Sequence, residues 1–195
     1  VARISRELLL AVKYLHNRGI VHCQLNLQNV LFENESRDSV IKLTDFGISS
    51  KFTNNGLNNI MTAEVSTIYA MSPQVLQGVY TSQADLWSCG VIIYTMLGTQ
   101  KPFQHTRREN LIDLIMRGSY DPMHKSTSEE WSTISEDAKD LVKNLLIVDP
   151  HLRLNATGAV HHKWYKDFEN QSLTYKLSAI MLDKIRKSLI DFKNA

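Results

Sequence analysis

Thirteen residues, Asp85 to Leu97, constrain this chain more than any other stretch. They are apolar on nearly every side rather than along one stripe. A helix that is hydrophobic all round must be buried, so the rest of the chain has to wrap around it. A chain of 195 residues supplies one sizeable core and falls short of two ordinary domains.

The flanking segments read as elements packed on that centre. Ile4, Leu8, Ala11, Val12 and Leu15 recur at helical spacing, and Asn17-Arg18-Gly19 supplies a stop. Ile20 to Leu31 mixes short apolar pieces with polar residues, as a loop between short strands would. Asn34 to Ser39 reads as a hairpin tip and Val40 to Leu43 as a strand. Residues 47 to 66 are rich in Ser, Thr, Asn and Gly, lack periodicity and read as one long loop. Arg107 to Arg117 is amphipathic through Leu111, Leu114 and Ile115. Ser135-Glu136-Asp137 is a helix start, a capping hydroxyl followed by acids in the first turn, and that helix runs through Ala138, Leu141, Val142, Leu145 and Leu146 toward Pro150. Ala156 to Val160 begins a short helix. Leu173 to Phe192 carries a stripe of Leu177, Ile180, Met181, Ile185 and Leu189. The fold class expected is mostly α with a few short strands.

Composition excludes several classes. Net charge is +2, and the runs Arg107-Arg108 and Arg186-Lys187 are too short to track a nucleic-acid backbone, so they read as solvated helix faces. Cys23 and Cys89 make neither a disulfide framework nor a thiolate metal site and read as reduced thiols of a cytoplasmic protein. His151, His161 and His162 lack the acid or thiol that would complete a metal site. No apolar run reaches the ~18 residues of a membrane span. The opening VARISRELLL reads as the interior of a helix, which leads one to expect further chain upstream. The triplets at Asn34, Asn155 and Asn170 are then chance matches to a glycosylation acceptor.

Three short landmarks follow in one order: His22-x-x-Leu25-x-x-x-Asn29, Asp45-Phe46-Gly47 and Ser72-Pro73-Gln74. Each is weak alone. Together they resemble the catalytic loop, the metal-binding triplet and the end of the activation segment of protein kinases. Asp85-Leu86-Trp87-Ser88-Cys89-Gly90, Lys101-Pro102-Phe103, Trp131 to Ser135 and Asp149-Pro150-x-x-Arg153 continue the match in register. The texture around Asp149-Pro150, Leu152-Arg153 and His162-Lys163-Trp164 is similar to the calcium/calmodulin-dependent group, and the tail is similar to calcium-dependent protein kinases. The resemblance implies a kinase C-lobe over residues 1–168 and a regulatory, junction-like helix over 169–195. The glycine-rich phosphate loop and the strand lysine, which in the family lie upstream on the smaller lobe, do not occur here.

The resemblance also assigns roles. Asn29 and Asp45 fill the two metal-binding places, for magnesium if nucleotide binds, and Leu31 the adenine floor, backed by Ile92 and Met96. His22 and Phe46 match an apolar spine anchored by Asp85; plain core packing explains these apolar positions equally well. Gln24 stands where the family has the aspartate that accepts the substrate proton, and an amide is not a base. Asn26 stands at the family's phosphate-facing lysine, Cys23 at the arginine that receives an activation-loop phosphate, and Gln28 at a substrate-reading glutamate. Five of the eight positions from His22 to Asn29 depart from the pattern while the spacing is kept. Gln74 replaces the glutamate that pairs with the arginine matching Arg153, so backbone oxygens must supply that guanidinium's remaining acceptors. Two functions follow as alternatives: a pseudokinase that binds or scaffolds, with a kinase small lobe, a calcium sensor or another kinase as partner, or an active Ser/Thr kinase using ATP and magnesium by unusual chemistry.

Overall fold

The computed structural model describes residues 1–47, 49–51, 68–78, 81–120 and 131–166. The amphipathic segment 173–192 and most of the loop 47–66 lie outside them.

Helix α3 (Gln83–Gly98) is the centre. Every side chain from Ala84 to Gly98 is buried. Its aliphatic hydroxyls are bonded to backbone: Thr95 Oγ1 donates to Val91 O at 2.8 Å, and Ser88 Oγ to Ala84 O and Ala70 O. Helix α1 (Ala2–Asn17) lies against it through Ile4, Leu8, Leu9 and Val12, with Leu9 taking a buried place that the spacing had given to Ala11 and Leu15. The stop is as read: Arg18 and Gly19 donate back to Leu15 O and His16 O, and Gly19 takes φ 69°.

Further helices among the described residues pack around these: α2 (Pro73–Leu76), α4 (Arg108–Arg117), α5 (Glu136–Leu145) and α6 (Ala156–Val160). Ser135 caps α5, its Oγ accepting from Ala138 N at 3.3 Å. Asn155 caps α6 by accepting from Gly158 N at 2.8 Å, which gives that residue a structural use. α3 and α5 approach closely at Gly90, where a Cβ would stand 2.9 Å from Leu145 Cβ and Leu146 Cδ2. α6 packs on α1. In α4 only Ile115 is fully buried, with Leu111 and Leu114 partly covered.

The strands among the described residues form two antiparallel pairs. β2 (Val30–Phe32) and β3 (Ile41–Leu43) pair Val30 with Leu43 and Phe32 with Ile41. β1 (Ile20–Val21) pairs with β4 (Ser50–Lys51). β4 corrects the reading of 47–66 as loop throughout. A two-residue strand has no period to detect; its partner defines it.

Candidate active site

The site is built on one buried carboxylate. Asp85, in the first turn of α3, is 1% exposed and accepts three hydrogen bonds. His22 N donates to its Oδ2 at 2.9 Å, Cys23 N to its Oδ1 at 3.0 Å, and His16 Nε2 meets Oδ2 at 2.9 Å. These bonds hold Cys23 in left-handed backbone, φ 72°, a conformation that persists in a non-glycine residue only when its surroundings impose it. Sequence reasoning identified Asp85 as the anchor but missed His16, sixty-nine residues upstream and joined only by the tertiary fold.

His22 then ties the loop to the Asp-Phe-Gly turn. Its Nε2 contacts Thr44 O at 2.9 Å. A carbonyl only accepts, so Nε2 carries the proton, and Nδ1 accepts from Gln24 N at 3.3 Å. The ring centroids of His22 and Phe46 lie 4.7 Å apart, but Phe46 is 44% exposed, which corrects the core-packing alternative at that position. Thr44 completes the tie: its N–H donates to Asn29 O at 3.0 Å, continuing the β2–β3 ladder by one residue. Thus Asn29 and Asp45, the expected metal pair, are joined through the one residue between the ladder and the triplet. Asp45 is exposed, with φ 62°.

The departing residues of the loop are folded into it. Gln24 O accepts from Asn29 Nδ2 at 2.9 Å and from Asn26 Nδ2 at 3.2 Å. Asn26 Oδ1 accepts from Gln28 N at 2.8 Å, capping the 3₁₀ turn Leu27–Asn29. Asn26 is 3% exposed. Where the family has a long cation reaching outward, this chain has a short amide closing its own turn. Leu31 lies two residues beyond Asn29 on β2, partly exposed, while Ile92 and Met96 are buried in α3. Ser49, two residues beyond the Asp-Phe-Gly triplet, donates to His22 O at 3.1 Å.

Asn29 and Asp45 offer a side-chain amide oxygen and a carboxylate, hard ligands suited to magnesium. With Asn29 Nδ2 spent on Gln24 O, its Oδ1 is the atom left for a metal. Among the described residues no group of three or more His, Cys, Asp or Glu side chains could hold an ion by itself. A cation here would draw its remaining oxygens from water or from a ligand such as a nucleotide. His162 instead meets Asp140 at 3.3 Å and His161 contacts Thr157 O.

The Gln74–Arg153 pair has the geometry that the substitution demands. Arg153 is 3% exposed. It donates to Gln74 Oε1 (3.0 Å), Ile147 O (2.9 Å), Gln83 O (2.6 Å) and Val148 O (3.0 Å), and Gln74 Nε2 donates to Val148 O at 2.7 Å. The guanidinium lies 5.1 Å from the centre of the Trp87 ring. Burial pushes its pKa down to about 10 against the opposing charge of Asp149.

This scaffold, helical core, anchored loop and triplet, matches the family model described as the protein kinase domain over residues 1–165. The chain belongs to the protein kinase family. Its relatives in that family include calcium-dependent protein kinases. It is 32% identical to calcium-dependent protein kinase 3 of Plasmodium berghei, over 97% of this chain and 36% of that one. It is 36% identical to calcium-dependent protein kinase 15 of Oryza sativa subsp. japonica, over 85% of this chain and 29% of the relative. Calcium-dependent protein kinase 4 of Plasmodium falciparum is 33% identical over 85% of this chain and 30% of its own length. The chain thus spans about a third of the curated relatives it matches. No helix among the described residues is long and apolar enough to cross a membrane.

Proposed function

We propose that this chain is the C-lobe of a pseudokinase, a Ser/Thr kinase scaffold that binds and regulates rather than transfers phosphate. The observation that carries the reading is Gln24 at the proton-accepting position of a loop whose scaffold bonds are all made. The loop has kept its architecture and lost its ionic chemistry. A substrate hydroxyl placed here meets an amide, and a transferred phosphate finds no cation from position 26, whose amide is buried in its own turn. General-base and positioning groups contribute roughly 10²–10⁴-fold each, or about 3–5 kcal/mol at 1.36 kcal/mol per decade. Loss of the larger alone takes an ordinary kinase turnover to near background.

The relatives' names favour a partner within calcium signalling, with a kinase small lobe, a calcium sensor or a second kinase as the bound protein and the cytoplasm as the setting. ATP and magnesium enter only if a small lobe supplies the phosphate grip; Asn29 and Asp45 would then hold the ion and Leu31 would support the base. That retained pair is also the one observation in favour of an active Ser/Thr kinase of unusual chemistry. Radiolabelled phosphate transfer to a generic substrate by the full-length, two-lobe protein decides between them. The expected result is no transfer above a no-enzyme control. Turnover near 1 s⁻¹, about the low end of the kinase range, that disappears in Asp45→Ala would establish the active reading.

A further inference from the structure

Three of the large apolar side chains left exposed, Leu10, Tyr14 and Val40, lie on α1 or on the turn bonded to it. Leu10 and Tyr14 are one turn apart on α1, on the side away from its buried Ile4, Leu8 and Val12. Val40 belongs to the β2–β3 turn, which is clamped to the same helix: Arg3 donates to Ser39 O at 3.0 Å and Glu7 accepts from Ile41 N at 3.1 Å. The charges bordering Leu10 and Tyr14 are one-sided. Lys13 precedes Tyr14, and the Arg18 guanidinium lies flat over the Tyr14 ring at 3.5 Å. Neither cation has a carboxylate partner among the described residues. The one acid of α1, Glu7, is already shared between Arg3, at 2.6 Å, and the Ile41 N–H.

We propose that this ridge is a docking surface for a partner protein that presents an acidic amphipathic segment. Its apolar side chains cover Leu10 and Tyr14, and its carboxylates meet Lys13 and Arg18. Charge selects the partner: a neutral or basic segment would desolvate two cations without supplying a counter-charge. Arg18, stacked and thereby held in one orientation, presents a planar fork suited to a carboxylate. The proposal is independent of whether the site transfers phosphate.

The test places a photo-crosslinking benzophenone amino acid at position 14, in place of Tyr14, in the full-length protein expressed in its own cells. Adducts formed on irradiation are mapped by mass spectrometry. An adduct on an acid-rich segment of a different protein, at least tenfold weaker in the Lys13→Glu/Arg18→Glu background, is the expected result. Lys13→Gln/Arg18→Gln, which neutralises without reversing, should give an intermediate yield and controls for misfolding. The proposal is overturned by an adduct within the same chain, on a second copy or on a segment without acidic residues. A yield insensitive to the charge changes, or no adduct, overturns it equally.

Discussion

Asn26 shows what a single substitution does when it alters chemistry and architecture together. Its amide caps the 3₁₀ turn and binds Gln24 O, so the position is structural here. Replacing it with lysine to rebuild a phosphate contact removes that cap. Asn26→Lys is expected to lower unfolding free energy by about 0.5–2 kcal/mol, the usual cost of a lost cap, measured by urea denaturation. Consequently Gln24→Asp with Asn26→Lys, the fairest attempt at rescue in a two-lobe protein, gains a base and a cation on a loosened loop, and Gln24→Asp alone stays inactive. Gln74 is the second such residue. Gln74→Ala leaves the Arg153 Nη2 with Val148 O alone and strands no compensating charge. The expected loss is about 1–3 kcal/mol, and at roughly 2–4 °C per kcal/mol for a chain of this size the melting shift is readily seen. An unchanged melting temperature would show that solvent or backbone replaces the amide.

Among the elements, the junction between α5 and the 3₁₀ turn Lys163–Tyr165 is held partly by charge. Lys163 Nζ lies 3.2 Å from Asp137 and 3.1 Å from Asp140, and His162 is 3.3 Å from Asp140. The hydrogen bond from Lys163, ahead of the smaller contributions of its charge and of His162, lowers the Asp140 pKa below its ordinary value. A carboxyl whose folded pKa is depressed stabilises the fold fully above its unfolded value, near 3.8, and loses that contribution as pH falls through the folded one. The difference in urea midpoint between the native protein and Asp140→Asn should therefore be constant from pH 7 to about 5 and shrink on further acidification. A difference that does not change with pH would mean that the pair contributes nothing. Beneath this polar edge, Tyr165 donates to Ser5 Oγ at 3.0 Å, so the same turn is joined to α1 in the core and to α5 at the surface.

For the whole molecule, on the proposed reading the described residues are a floor for nucleotide without a phosphate cradle, since no G-x-G-x-x-G occurs in the sequence. Titration of residues 1–195 with ATP and magnesium should detect weak binding or none. A low-micromolar dissociation constant, lost in Asp45→Ala, would show that Asn29 and Asp45 suffice to hold the metal–phosphate unit.

The sequence alone determined the burial of α3, because a helix apolar on every side has no other place. It determined the caps at Ser135 and Gly19, where local chemistry is sufficient, and the identity of Gln24, Asn26, Asn29 and Asp45 at their motif positions, because spacing along the chain carries that information. It also required that Arg153 find acceptors other than a carboxylate. Tertiary structure decided which acceptors those were, Ile147, Val148 and Gln83 carbonyls along with the Gln74 amide. It decided β4, two residues given strand geometry only by β1. It brought His16 to Asp85 and Thr44 to both His22 and Asn29. A hydrogen bond between residues distant in the chain leaves no mark on the periodicity or composition of either segment, since it depends on where packing brings two atoms and not on what precedes or follows each of them.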